Sequence, residues 1–295
     1  STQLDGGTSG TCVGNMTLNG AYGINPTDCT NTTVEYSQAQ GASDAGIYIG
    51  KCTGGTVENN IVYENVAGLE VENCVGVDAS DNIAFDNVGG VFALQQDISG
   101  SMQSNTDVRI FSNETYCNNR PNFAKPGSAV AGIPVGTGLL SFAGDGVEIF
   151  DNIITDNLTL GIGMASNILN CQVSGGDCPP YNDGYDPFVK NNYVHSNVFT
   201  NNGTDPQGLF GTLFKVLGFG VPGNPLPEVV WDGYTENPGD VGLCLGTDAE
   251  AAATVLVIGN ECQTPIDPPL EDYIACAQEN NSTDQTPFLC EPSPE

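Results

Sequence analysis

From about residue 20 to residue 202 the chain alternates apolar and polar residues in short runs broken by glycine or asparagine, and no helical period is present. Val57, Asn60, Ile61 and Tyr63 show the pattern, as do Ile149, Asn152, Ile153 and Ile154. The pattern predicts short strands separated by tight turns.

These strands recur. The segments Tyr22-Gly23-Ile24, Ala45-Gly46-Ile47, Ala67-Gly68-Leu69, Gly89-Gly90-Val91, Thr137-Gly138-Leu139 and Leu160-Gly161-Ile162 begin equivalent strands, spaced 23, 22, 22, 48 and 23 residues apart. Pairs of asparagines five residues apart run in phase with them: Asn60/Asn65, Asn82/Asn87, Asn113/Asn118, Asn152/Asn157 and Asn197/Asn202. Three short strands in about 22 residues, repeated in register, predict a parallel β-helix whose coils stack at about 4.8 Å. Ile47, Leu69, Val91, Leu139 and Ile162 would form an inward aliphatic ladder. The asparagines suit turns with left-handed backbone, and stacked amides would satisfy one another.

Stretches 95–107, 119–135 and 165–190 exceed what a coil needs and are expected as loops outside the stack. The expected division is residues 1–202 for the coils and 203–295 for a C-terminal cap. Within the cap, Leu209 to Val221 reads as a short helix over the open end, and Glu250 to Glu295 as a Cys/Pro-rich acidic tail tied by disulfides.

The blocks Asn19-Gly20-Ala21-Tyr22-Gly23-Ile24, Gly41-Ala42-Ser43-Asp44-Ala45-Gly46-Ile47-Tyr48-Ile49-Gly50 and Asn65-Val66-Ala67-Gly68-Leu69-Glu70-Val71-Glu72-Asn73 resemble a family of secreted right-handed parallel β-helix repeat proteins. The likeness continues through Asn119-Arg120-Pro121-Asn122-Phe123-Ala124, Val135-Gly136-Thr137-Gly138, Tyr185-Asp186-Pro187 and Val230-Trp231-Asp232-Gly233, and so spans about residues 19–265. It implies an all-β, right-handed solenoid and secretion; the family's members are mostly uncharacterised, so it implies no activity. Family members usually carry further coils before the first block, whereas here eighteen residues precede it. Either a leading portion has been removed, or Ser1 to Leu18 or another chain covers that edge.

Charge then narrows the functions. Thirty-six acidic and six basic residues give a net charge of −30, which excludes a nucleic-acid-binding face and disfavours anionic membranes. No stretch approaches the ~18 apolar residues of a membrane span. With 39% apolar and 14% charged residues, the chain still builds a core.

Eleven cysteines point to an oxidising compartment and to a secreted, extracellular or cell-surface protein. Cys29, Cys52 and Cys74 share one phase of consecutive coils, within disulfide reach. The preferred pairing is Cys12–Cys29, Cys52–Cys74, Cys171–Cys178, Cys244–Cys262 and Cys276–Cys290, leaving Cys117 unpaired. Asn15, Asn31, Asn113, Asn157, Asn202, Asn280 and Asn281 begin glycosylation acceptor sequences.

Catalytic groups are few. Asp44 of the Ser43-Asp44 pair, Glu70, Glu72 and the lone histidine His195 are the weak catalytic candidates, with Glu70 and Glu72 expected on a solvated outer face. Glu64, Asp86 and Asp156 share one phase and Asp81 and Asp151 another; such rows are candidate calcium ligands or plain turn residues. Tyr48, Tyr63, Phe85, Phe92, Phe111, Tyr116 and Phe150 fit core or stacking positions before sugar platforms. The sequence therefore favours a non-enzymatic structural or adhesive rod that self-associates or joins other extracellular chains, stabilised by calcium or salt. The alternatives are a carbohydrate-active enzyme, hydrolase or lyase, and calcium-dependent glycan binding by acids on one face.

Overall fold

The structure is a computed structural model and describes residues 2–5, 20–97, 105–168, 184–237, 242–246, 255–258, 270–284 and 289–290. Its strands form three parallel sheets that run the length of the stack. Sheet A contains Thr2–Asp5, Ser37–Gln40, Ile61–Tyr63, Ile83–Phe85, Glu114–Tyr116, Ile153–Thr155 and Val198–Thr200. Sheet B contains Tyr22–Ile24, Ala45–Gly50, Ala67–Glu72, Gly89–Leu94, Thr137–Phe142, Leu160–Ala165, Val229–Trp231 and Val255–Val257. Sheet C contains Thr30–Glu35, Thr53–Glu58, Val75–Ser80, Arg109–Phe111, Glu148–Phe150, Asn192–His195, Leu243–Gly246 and Leu289–Cys290. Each coil visits B, then C, then A. Sheets B and C continue past residue 202, so the expected boundary at 203 falls inside the stack.

Register confirms the aliphatic ladder: Ile47 lies opposite Leu69, Leu69 opposite Val91, Val91 opposite Leu139, and Leu139 opposite Ile162. All five are fully buried in the main core. The marker glycines stack just before them. A Cβ on Gly46, Gly68 or Gly138 would lie 2.6–2.8 Å from the carbonyl oxygen of the next glycine in the column, so the crowded coil corner, rather than turn geometry, demands glycine.

Both asparagine columns are buried and saturated. In one, each Nδ2 donates to the Oδ1 of the next, from Asn60 through Asn82, Asn113 and Asn152 to Asn197, at 2.9–3.0 Å. In the other, Asn65, Asn87, Asn118, Asn157 and Asn202 do the same at 2.9–3.2 Å. The second Nδ2 proton goes to a carbonyl of the preceding coil, as from Asn87 to Val62. The left-handed residue of each corner is the one before the asparagine: Asn59, Glu64, Asp81, Asp86, Cys117, Asp151 and Asp156 all have φ of 51–58°. Short polar side chains tolerate that backbone best, which explains the phased acids.

The cysteine staples are corrected. Cys29, Cys52 and Cys74 are free thiols. They share a column as expected, but Cys74 Sγ accepts the Cys52 N–H at 3.2 Å and donates to backbone carbonyls of Glu72 and Ile49. One coil further on, Asn105 Oδ1 takes the same part by accepting the Cys74 N–H. Sulfur thus substitutes for an amide in a third ladder, and burial pushes the Cys74 thiol up to about 12. Cys117 is an exposed free thiol. Cys244 and Cys276 are each in a disulfide. Cys12, Cys171, Cys178, Cys262 and the side chain of Cys290 lie outside the described residues.

The glycosylation expectation is also corrected in part. Asn113, Asn157 and Asn202 are ladder members, 0–4% exposed, so their amides are inaccessible. Asn31 and Asn280 are exposed, Asn281 is half-buried, and Asn15 lies outside the described residues.

Helix α1 (Gly208–Val216) does not cap the end of the stack. Its Phe214 and Phe210 pack on Leu160 and Val230 of sheet B's outer face, together with Ala277 of helix α2 (Leu270–Asn280). The insertions around 119–135 and 203–228 leave from the A-to-B corner, and those around 95–107 and 166–191 from the B-to-C corner. Described residues of the insertions, among them Gln96, Val130, Ile133, Phe210 and Phe214, wall the outer face of sheet B, and the two B-to-C insertions are joined by Tyr185 Oη donating to Gln95 O and Gln95 Nε2 donating to Asp186 O, both at 3.0 Å.

Candidate functional site

Three of the four catalytic candidates converge on the leading end of that walled face. Alternation along Ala67–Glu72 sends Leu69 and Val71 inward, and so Glu70 and Glu72 outward. Tyr48 is the register partner of Glu70 on one side and Phe92 on the other. Gly50, two residues after Tyr48 and opposite Glu72, has no side chain, so the Tyr48 ring lies across it and its hydroxyl donates to Glu72 Oε1 at 2.8 Å. Tyr22 packs on Tyr48 with ring centroids 4.9 Å apart and donates to Asp44, which sits just before the Ala45–Gly50 strand.

The expectation of a solvated acidic face fails at this point. Glu70 is 1% and Glu72 8% exposed, and Glu70 Oε1 has no hydrogen-bond partner among the described residues. Burial, then the charges of Asp44 and Glu72, hold the Glu70 carboxyl well above the usual range. Burial raises Glu72 too, against the opposing hydrogen bond from Tyr48 and the charge of Lys51. Asp44, half-buried, is raised by desolvation to about 6 despite the Tyr22 hydrogen bond. Burial thus favours the protonated forms of Glu70 and Glu72, while Asp44 titrates near pH 6; groups whose proton affinities are displaced in this way suit acid–base chemistry between carboxyls.

His195 lies elsewhere, on sheet C. It stacks on Phe150 at 5.0 Å and contacts Glu148 Oε1 and Ser196 Oγ, each at 3.1 Å, so it extends an aromatic column begun by Phe111. Tyr63, Phe85 and Tyr116 form a similar column on sheet A. The metal candidates have structural parts instead. Arg120 bridges Glu64 at 3.1 Å and Asp86 at 2.7 Å, pinning the 119–135 insertion, and Asn201 donates to Asp156. Asp81 and Asp151 occupy left-handed corners. Among the described residues no group of three or more His, Cys, Asp or Glu is placed to hold a metal ion.

Two features of this face escaped sequence reading. Tyr22 and Tyr48 as partners of the acids follow from strand register, which only coil stacking reveals. Asp232, in the Val230-Trp231-Asp232-Gly233 block, is 1% exposed and accepts from Ser166 N at 2.6 Å, Ser166 Oγ at 2.7 Å and Tyr234 N at 3.1 Å; burial raises it to about 6. Its position in a distinctive block was the available signal.

A family model described as "Right handed beta helix region" matches residues 7–108. The three sheets carry the same arrangement onward to residue 290. The fold is a right-handed parallel β-helix. No curated protein matches the chain. Among solved structures, the A-module of mannuronan C-5 epimerase AlgE4 from Azotobacter vinelandii is similar, at 14% identity and a TM-score of 0.47, over 76% of this chain and 54% of that one. The chain thus spans about half the length of that module. No helix among the described residues is long and apolar enough to cross a membrane.

Proposed function

We propose that the protein is a carbohydrate-active enzyme that hydrolyses a neutral glycan lying on the outer face of sheet B. The observation that carries this reading is the convergence of Asp44, Glu70 and Glu72 with Tyr22 and Tyr48 on a sheet whose outer face described insertion residues wall. Perturbed carboxyls in a walled cleft are where acid–base catalysis is expected. Asp44, the most accessible of the three, ionises near pH 6 and serves as the carboxylate that activates water or attacks the sugar. Glu72, held by Tyr48, delivers a proton to the leaving oxygen. Glu70, buried beside them between Tyr48 and Phe92, is a positioning residue whose neutral carboxyl packs against the cluster. A net charge of −30 favours a neutral over an anionic polymer. Disulfides at Cys244 and Cys276 support an oxidising, extracellular setting.

Reducing-sugar release from a panel of neutral glycans tests the proposal. Activity is expected to rise as the pH increases through about 6 and to fall at least 100-fold in Asp44→Asn. No release from any glycan between pH 4 and 8 would sink it.

A second reading, a self-associating structural or adhesive rod, is supported by Ile61, Ile153 and Val198, which are 37%, 47% and 57% exposed on the sheet A strands. Sedimentation at rising concentration tests it: a monomer throughout removes it.

A further inference from the structure

The acid cluster occupies only the leading end of sheet B's outer face. Beyond it the same rows turn apolar. Glu70 is followed strand by strand by Phe92, Leu140, Gly163 and Val230, and Glu72 by Leu94, Phe142 and Ala165. Large side chains on one strand and small ones on the next leave a depression at Gly163 and Ala165. The insertions close it laterally, with Val130 and Ile133 from one and Phe210 and Phe214 of α1 from another. A cavity of about 80 Å³ results, and Leu94, the register neighbour of Glu72, lines it. Its rim is therefore one strand spacing from the acids and its floor three, or about 14 Å. Among the described residues that line it the one acid, Asp232, is already engaged by Ser166 and Tyr234, and the rest are uncharged.

We propose that this cavity binds an uncharged alkyl or aryl group attached to the sugar that the acid cluster engages, so that the substrate is an amphipathic glycoside rather than a plain polysaccharide. The proposal rests on the hydrolase reading for the sugar. It rests on the cavity itself for the apolar group. Continuity between Glu72 and Leu94 makes one ligand span both, and burial of each methylene in such a lining is favourable.

The test is calorimetric binding of n-octyl β-D-glucopyranoside below its micellar concentration, with methyl β-D-glucopyranoside and 1-octanol as controls. Proteins compared are the wild type, Gly163→Leu, Gly163→Ala and Asp44→Asn. A Cβ at Gly163 first meets the flexible ends of Leu140 and Leu160, at 3.0 and 3.1 Å, with the nearest backbone atom, Leu139 O, at 4.0 Å, so Gly163→Leu should fold while filling the floor. Gly163→Ala gives a smaller effect of the same sign should the larger variant unfold.

Octyl glucoside is expected to bind at least tenfold more tightly than either control, to lose tenfold or more in Gly163→Leu, and to fall toward the octanol value in Asp44→Asn. Equal binding by wild type and both Gly163 variants overturns the cavity assignment, whatever the glycan panel shows. Octanol binding as tightly as octyl glucoside overturns the linkage to a sugar. Cavity-dependent octyl glucoside binding without turnover of any glycan supports the cavity and overturns hydrolysis alone.

Discussion

The protein buries polar groups in two places, and the contrast between them separates scaffold from site. In the column Asn65, Asn87, Asn118, Asn157, Asn202, each inner amide meets a carbonyl, a backbone N–H and two neighbouring amides, so its burial is compensated donor for donor. Five residues after Asn65, Glu70 is buried as completely, yet one of its oxygens has no partner among the described residues and the charges acting on it are those of other acids. A saturated ladder stabilises the stack; an undersatisfied cluster is tolerated because the stack is rigid, and its displaced proton affinities are what make it chemically useful. Buried polarity by itself identifies neither.

The largest effect should come from the scaffold. Gly68→Val sets a branched side chain where a Cβ would already lie 2.6 Å from Gly90 O and 2.9 Å from Val62 Cγ2. Loss of soluble folded protein is expected, read by expression and circular dichroism; a cooperative melt near the wild-type temperature would refute the stacking account. Asn87→Ala comes next. It strips acceptors from the Asn65 N–H and Nδ2 and a donor from Val62 O, and at ~1–3 kcal/mol for each buried group left unpaired the expected loss is about 3 kcal/mol or more in denaturant melts.

The acid cluster should respond in the opposite sense. Glu70→Gln removes a buried ionisable group without changing its shape, so stability at pH 7.5 should hold or rise while glycan turnover falls about tenfold and the limb of the pH profile near 6, which belongs to Asp44, stays in place. A loss of stability as large as that of Asn87→Ala would erase the distinction between the two regions.

Acidity provides a subtler test. Asp232 and Asp44 both have folded-state pKa values near 6, above the ordinary ~3.9, so the folded state binds protons more tightly. Their contribution is complete below pH ~4 and is lost as the pH rises through 6, making the protein more heat-stable at pH 5 than at pH 7.5. For the fully buried Asp232 the full contribution, below pH ~4 against above pH ~7, is on the order of 3 kcal/mol, and about half of it separates pH 5 from pH 7.5. Asp232→Asn should flatten that dependence, and an unchanged slope in the variant would rule Asp232 out as its source.

Much of the fold was legible because stacking imposes a period. Gly46, Gly68 and Gly90 recur because each leaves room for the carbonyl of the next, and the asparagine pairs recur because each coil repeats the same corners. The phased acids Glu64, Asp86 and Asp156 were equally legible, but as a pattern with two explanations; their φ values and the Arg120 bridge supply the physical content of the turn explanation. The site was legible only as scattered names. Asp44 lies one coil before Glu70 and Glu72, and the three stand at different phases, so nothing periodic ties them together, and solvated and buried outward positions look alike in an alternating pattern. The cysteines show the converse. Their shared phase was correctly read, yet a common column also serves thiols that bond to backbone rather than to one another.

Local chemistry along the chain thus determined the coil, its length, its three strands and its inward residues, because each of these depends on which side chains fit a repeating corner. Only tertiary structure decided which of the three outer faces becomes a cleft. That choice depends on where the insertions leave the stack and which sheet they lean against, and on register bringing Tyr22, Asp44, Tyr48, Glu70 and Glu72 together from three coils into one poorly solvated cluster.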